Sequence, residues 1–477
     1  MQSKTTPEGK IFNPETKRYV GKHTKKGQEL LLKKVIGQPT KISPIKKASP
    51  VKKVSPIKKA SPVKKVSPIK KVASPTKEVF SATKKSLFKK IDIIKIDLSE
   101  NKLNEKPQSK LKGRKITIDQ FEELVKTDKF IEQFKKSLIS LLQYKKTIYS
   151  HPESLPKNDS GGDIYKNIIL KINDILTKIG TSDNKKSTEY IRKNLLDAIN
   201  NDKDGMKSLI AREEIMNNIA GMLYAFSKNY RIFTRIFLNF AFFGSAGVGK
   251  SKIASVFAYV FKKSGILIKG NISMVTRAEL VGSFVGQTAP KTRKLLFDTL
   301  EGILFIDEAY SLTPCPEKHV EKDFGGEAVS ELINFMDKTI GLSVIIIAGY
   351  KDLMLRCFFP FNEGLDRRFP YKFQLTNYSP ENLTIMLLNI LEIDNEIKVT
   401  QHTKNYLYSL ICLMVEKYPN VLKNQAGDIL NFGNMITQSI YMTYDLEWNK
   451  NEKDNEMILL SAFEDFIESK NMNVFIN

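Results

Sequence analysis

One stretch of this 477-residue chain constrains its fold more than any other. The apolar run Asn239–Phe243 leads directly into G-S-A-G-V-G-K-S at Gly244–Ser251, and then into the helix-forming K-I-A-S-V-F-A-Y-V-F from Lys252. Strand, glycine-rich loop and helix in that order form the G-x-x-x-x-G-K-[ST] phosphate loop in its required context. With both flanks correct, a chance match in an ordinary loop is disfavoured. Gly244, Gly247 and Gly249 let the backbone close on a phosphate, so that N–H groups from Gly244, Ser245, Ala246, Gly247, Val248 and Gly249 and the start of the following helix face the anion. Lys250 supplies a point charge to the outer phosphates, and the Ser251 hydroxyl can ligate Mg²⁺.

A second run, G-I-L-F-I-D from Gly302, is a buried-strand pattern that ends in Asp307-Glu308. Two acids at the end of an apolar strand are costly unless they serve a cation; the alternative is a strand-end turn with solvated carboxylates. Downstream of a phosphate loop, Asp307 reads as a Mg²⁺ ligand, direct or through water. Glu308 reads as the residue that orients and polarises an attacking water, alongside Lys250 as a catalytic candidate. The expected cofactors are ATP and Mg²⁺.

Charge is distributed unevenly. Of a net +24, residues 1–90 contribute 25 Lys plus Arg against 4 Glu. Within this arm S-P-[IV]-K-K-[AV] is read five times, from Ser43, Ser49, Ser55, Ser61 and Ser67, with a looser copy at Ser74. Regular prolines and repelling lysines predict an extended, disordered segment. It reads either as a solvated spacer or as an arm that follows a nucleic-acid backbone. The repeat resembles the S-P-x-K elements of linker-histone tails and proline-directed kinase sites. Phosphorylation would cancel roughly two charges per hexad. Cys315, Cys357 and Cys412 show neither a disulfide framework nor a metal spacing, which predicts a reducing, intracellular compartment. No apolar leader or membrane-spanning run is expected.

Ahead of the repeat, Ile11–Leu32 has a turn signal at Asn13-Pro14 and leucines that can start a short helix. It resembles a short N-P-x-T-G-R-x-[IV] module of large cytoplasmic DNA viruses, with Lys17 where glycine is usual; a viral source would place the protein in host cytoplasm or nucleus. Residues 117–149 and 163–200 repeat apolar positions at helical spacing, including Phe121, Leu124, Val125, Phe130, Phe134, Leu138, Leu141 and Leu142, and read as a helical spacer in preference to an adaptor.

Arg212–Arg368 resembles the AAA+ module, and within it the CbxX/CfqX-like branch that includes red-type Rubisco activases. The strings that carry this are L-I-A-R-E-E-I at Leu209, E-L-V-G-S-F-V-G-Q-T-A-P-K-T from Glu279, G-I-L-F-I-D-E-A-Y-S-L from Gly302, I-I-A-G-Y-K-D from Ile346 and G-L-D-R-R-F from Gly364. The resemblance implies a homo-oligomeric ring, with a hexamer plausible. It implies that Phe284-Val285-Gly286 projects into a central pore and grips a polypeptide; the alternative is that Phe284 is core. It also implies that Arg368, with Arg367 adjacent, is an arginine finger acting on the neighbouring subunit's nucleotide rather than a plain surface pair. Two positions depart from the family. Tyr350 follows Ala348-Gly349 where a small polar sensor is usual, so its phenol becomes a nucleotide-site candidate. Gly427 and Leu430 replace both arginines of the second sensor.

The expected fold is therefore α/β: a P-loop AAA+ three-layer parallel-sheet domain with a C-terminal helical lid, preceded by a helical region and a disordered basic N-terminal arm. The expected boundaries are 1–35, 36–90, 91–204, 205–375 and 376–477. Three functions stay open: an ATPase ring that remodels proteins or protein–nucleic-acid assemblies, a nucleic-acid motor or loader, and a packaging or scaffold protein that binds nucleotide without turnover.

Overall fold

The computed structural model describes residues 10–13, 18–21, 115–155, 161–180, 183–315, 323–443 and 446–472. The basic repeat and the leucines at 30–32 lie outside the described residues. Residues 1–79 and 80–477 are separate units. In the first, β1 (Lys10–Asn13) pairs antiparallel with β2 (Arg18–Gly21); Pro14, in the expected turn, lies outside the described residues.

The second unit opens with helices where the periodicity predicts them, α1 (Ile118–Lys126), α2 (Asp128–Ser150), α3 (Gly161–Ile179) and α4 (Asn184–Asn200), and these are followed by α5 (Glu213–Lys228). Helix α1 starts on a capping box, in which the Thr117 hydroxyl accepts from the Gln120 N–H and the Gln120 side chain accepts from the Thr117 N–H. Phe121, Val125, Phe130, Phe134, Leu138, Leu141 and Leu142 are buried, and Leu124 is half-buried. Their burial joins this region to the sheet domain in one continuous core, so it is more than a spacer.

The sheet is built from β3 (Phe240–Phe243), β4 (Ile272–Val275), β5 (Ile303–Ile306), β6 (Val344–Gly349) and β7 (Tyr371–Gln374), all parallel, in the order β4-β5-β6-β3-β7. Crossover helices connect them: α6 (Lys250–Lys263), α7 (Arg277–Leu280), α8 (Thr288–Asp298), α9 (Gly325–Lys338) and α10 (Gly364–Arg368). The inner strands β3, β5 and β6 are buried along their whole length, which is why they read as unbroken apolar runs. The three-layer α/β fold is the expected one. A lid of α11 (Pro380–Asn389), α12 (Gln401–Lys417), α13 (Ala426–Met442) and α14 (Glu452–Met472) follows, with its own core around Leu387, Leu407, Phe432 and Phe463.

The cysteine reading needs correction. Cys315 and Cys357 form a disulfide with their Cα atoms 4.6 Å apart, leaving Cys412 free. The 42-residue separation hides the pair, because it is the pairing of β5 with β6 that brings the segments after both strands together. Cysteine usage therefore no longer argues for a reducing compartment. Among the described residues no helix is long and apolar enough to cross a membrane.

Candidate nucleotide-binding site

The C-terminal ends of β3 and β5 deliver their side chains to one cavity of about 560 Å³. It is lined by Ala246, Gly247, Gly249, Lys250, Ser251, Asp307, Glu308 and Tyr350, with Ala426, Gly427 and Leu430 from the lid. Gly244 and Val248 are buried beneath the loop, and the Ser245 hydroxyl donates to Asn377 Oδ1 at 2.9 Å. A larger groove of about 1350 Å³ lies between α1, α5 and β7; Lys115, Asp119, Glu122 and Glu123 line it, but none of the phosphate-loop residues or the acids ending β5 does.

Two glycines of the loop are required by its shape. Gly247 has φ +72° and a Cβ there would come within 1.7 Å of the Asn424 carbonyl oxygen; Gly249 has φ +88° and a Cβ would meet the Tyr378 hydroxyl at 2.6 Å. Gly249 also caps α6, whose N-terminal dipole points into the cavity. The Lys250 ammonium donates to the Gly244 and Ser245 carbonyls at 3.0 and 2.7 Å, which holds it inside the loop's curve. Burial lowers its pKa, opposed by the carboxylates of Asp307 and Glu308.

At the acidic end, Glu308 is exposed to the cavity and Asp307 half-buried. Glu308 takes φ +48°, a conformation that costs a non-glycine residue on the order of 1 kcal/mol and that turns its side chain off the strand line. Its N–H donates to Asp307 Oδ1 at 3.0 Å. Tyr310 sits beside it, its pKa pushed up to about 12 by burial and then by the Glu308 carboxylate. The rings of Tyr310 and Tyr350 lie 6.2 Å apart, so Tyr350 closes the far wall.

Several contributors were not legible from sequence. Arg212, buried, stacks its guanidinium 4.1 Å over the Tyr378 ring and donates to the carbonyls of Val248 and Thr376 at 2.9 and 3.1 Å. The Tyr378 hydroxyl donates to the same Val248 carbonyl at 3.0 Å. From the lid, the Ala426 N–H donates to the Gly247 carbonyl at 3.2 Å. The loop is thus clasped from behind by the entry segment and from above by the lid. A second cavity of about 480 Å³, lined by Leu209, Ile210, Met386 and Ile390 among others, shares Gly249, Lys252 and Ala426 with the first. Its apolar walls suit a nucleobase. Arg212 lies in the L-I-A-R-E-E-I string, but its contact with Tyr378 is a product of the fold, and no local signal marks Tyr378.

Two further candidates lie elsewhere. Phe284 and Val285 are 70% and 80% exposed on the loop between α7 and α8, so Phe284 is not core. Arg368 departs from the expectation of a presented finger. It is 4% exposed, its Nε donates to Asp337 Oδ1 at 2.9 Å, its Nη2 pairs with Asp337 Oδ2, and its Nη1 donates to the Gly364 carbonyl at 2.9 Å. These bonds turn it inward, whereas Arg367 is exposed.

Comparison with known proteins agrees with this geometry. The sequence pattern of the AAA family, "ATPase family associated with various cellular activities", matches residues 240–356. This part of the chain is an AAA ATPase domain, and it is similar to CbxX/CfxQ-like proteins. It is 37% identical over 180 residues to the Protein CfxQ homolog of Guillardia theta, covering 38% of this chain and 60% of that protein. The same identity and coverage hold for the chloroplastic ribulose bisphosphate carboxylase/oxygenase activase of Cyanidioschyzon merolae. With Stage V sporulation protein K of Bacillus subtilis it shares 36% over 177 residues, 36% of this chain and 53% of that one. The AAA+ match thus spans just over half the length of these relatives, and the first 90 residues with their repeat are outside the AAA pattern.

Proposed function

We propose that this AAA+ protein binds ATP with Mg²⁺, hydrolyses it, and uses the energy as a ring to remodel proteins or protein–nucleic-acid assemblies. One observation carries the reading: Lys250, Ser251, Asp307 and Glu308, from two strand ends, line a single cavity. Ser251 and Asp307 offer the hard oxygen donors that Mg²⁺ prefers, and few protein ligands suffice because Mg²⁺ keeps phosphate and water oxygens. Bound Mg²⁺ would neutralise charge on the phosphates. Lys250 and the loop N–H groups orient them, and Glu308, with Tyr310 against it, aligns and polarises a water. The cavity between Leu209 and Met386 takes the base, and Tyr350 flanks the terminal phosphate. Arg367, exposed next to the buried Arg368, is the residue of that pair able to reach a neighbouring subunit.

A protein substrate is favoured by the exposure of Phe284 and Val285, since two adjacent apolar side chains in water mark a contact surface. A relative named as an activase of a carboxylase/oxygenase favours it too. Nucleic acid enters through the basic arm.

Lys250→Ala is expected to weaken ATP binding by about 10- to 100-fold, the loss of a charged hydrogen-bond donor. Glu308→Gln should leave binding intact and lower turnover by about 10² to 10⁴. Equilibrium titration and phosphate release separate the two. Hydrolysis by Glu308→Gln at the parental rate would remove Glu308 from catalysis, and no hydrolysis by the parental chain despite ATP binding would leave a nucleotide-dependent scaffold.

A further inference from the structure

Arg277 occupies the first position of α7, directly after β4 and its Thr276 cap. Its guanidinium is half-buried and bridges two segments distant in sequence. Nη1 donates to the Ser311 carbonyl at 2.6 Å, and Nη2 pairs with Asp323 Oδ1 at 2.5 Å. Asp323 in turn accepts the Gly325 N–H at 2.8 Å, which fixes the start of α9. On the other side of Ser311, its own N–H donates to the Glu308 carbonyl at 2.8 Å. Two hydrogen bonds therefore lead from the backbone of the strained Glu308 to the arginine.

From Arg277 the path continues into the loop that exposes Phe284 and Val285. The Thr292 hydroxyl donates to the Leu280 carbonyl at 2.9 Å, the Lys291 ammonium donates to the Ala278 and Val281 carbonyls at 2.7 and 2.9 Å, and the Gly282 N–H donates to the Thr288 hydroxyl at 3.0 Å. These bonds brace α7, the base of the loop and α8 as one piece. A displacement at Arg277 must then be shared by the whole loop base.

We propose that Arg277 is the positioning residue that couples the Asp307-Glu308 end of β5 to the Phe284-Val285 loop, so that the occupant of the nucleotide cavity sets the loop's conformation. The coupling rests on nucleotide binding at that cavity and not on the identity of what the loop grips. Arginine is needed because one planar fork spans a carbonyl and a carboxylate together, which a lysine point charge does not. The left-handed Glu308 is the element suited to two arrangements, since relaxing its φ would move the Ser311 carbonyl. A chain of contacts is a physical warrant only if both ends respond, so the test must read both ends.

The full-length protein is compared with ADP–Mg²⁺ and with the slowly hydrolysed analogue ATPγS–Mg²⁺ by amide hydrogen–deuterium exchange over residues 277–288, alongside nucleotide titration. The parental loop should differ between the two nucleotides by about fivefold or more in exchange rate, the usual lower range of a coupling between sites. In Arg277→Gln that difference should shrink to less than about twofold while nucleotide affinity holds. A merely structural arginine would raise exchange equally in both nucleotide states and keep the difference. Asp323→Asn, which leaves the Ser311 contact in place, should lose part of the difference, and it stands in if Arg277→Gln does not fold. A parental loop indifferent to the nucleotide, or an Arg277→Gln loop that responds like the parent, overturns the proposal. Absence of nucleotide binding in the parental titration instead overturns the reading of the cavity on which the coupling rests.

Discussion

Glu301 holds φ at +59°, and its carboxylate lies wholly out of water between two residues of α2. Lys145 donates to Oε2 at 2.6 Å and to the Ile266 carbonyl at 2.7 Å, the Tyr149 hydroxyl donates to Oε1 at 2.7 Å, and the Ile268 N–H reaches Oε2 at 3.1 Å. Burial lowers the Lys145 pKa despite Glu301 and raises that of Tyr149 well above its ordinary value. An ion pair this deep specifies one docking of α2 on the sheet more than it adds net stability. Removing one partner is another matter, because the other is left charged and uncompensated. Glu301→Gln should destabilise the protein by about 3 to 5 kcal/mol near neutral pH. Without the carboxylate the folded-state pKa of Lys145 falls further below the unfolded value of 10.5. The folded state then binds fewer protons than the unfolded one between those values, so stability must rise with pH through the folded pKa. Urea unfolding from about pH 7 to about pH 9.5, below tyrosine ionisation, should show the variant recovering part of its loss. A pH-independent deficit would place the cost in packing and not in the stranded charge.

At the scale of elements, what was legible in the sequence was what one element carries by itself. The phosphate loop, the acids ending β5 and the apolar faces of α1 to α4 each depend on neighbours a few residues away. What was hidden depends on how elements meet. Cys315 finds Cys357 only because β5 and β6 are adjacent, and Tyr378 finds Arg212 only because the lid linker passes under the phosphate loop. The arginine pair of α10 belongs to this second class. Sequence places both residues at the family position, but Asp337 at the end of α9 and the ring of Phe237, 5.9 Å from the guanidinium, bury Arg368. The consequence is a division of labour that kinetics can read. Arg367→Ala should fold and bind ATP like the parent yet hydrolyse about 10³-fold or more slowly, the range of a lost arginine finger. Mixing it with Glu308→Gln subunits should restore part of the turnover, since each defect then sits on a different subunit of some interfaces. Arg368→Ala should chiefly lower stability, by about 1 to 3 kcal/mol, through the loss of charged hydrogen bonds inside α10 and to α9. If Arg368→Ala were as stable as the parent and catalytically dead, the assignment would have to be reversed.

For the whole molecule, charge separates the chain into a nearly neutral body and a basic arm, since residues 1–90 hold almost all of the net +24. The five hexads at 43–72 carry ten lysines with no aromatic residue among them. Such a segment can neutralise phosphates but offers no aromatic ring on which bases stack, so its affinity should be insensitive to sequence. Each neutralised phosphate contributes a slope of roughly 0.7 on single strands or 0.9 on duplex in log affinity against log salt. Full engagement of the arm therefore predicts a slope on the order of −7 to −9, steep enough to be measured between low and physiological salt. Deleting residues 1–90 should remove most of the affinity for DNA or RNA and flatten the slope. Hydrolysis assayed without nucleic acid should be retained, because the cavities assigned to the nucleotide are lined by residues far downstream, from Asp202 onward. Phosphorylating the Ser-Pro sites should resemble the deletion, as each phosphate offsets the two lysines of its hexad. Equal binding by the truncated and full-length proteins at physiological salt would make the arm a spacer and move the anion-binding surface onto the ATPase body. Stimulation of hydrolysis by DNA in the full chain but not in the truncation would instead make nucleic acid the substrate and the arm its tether.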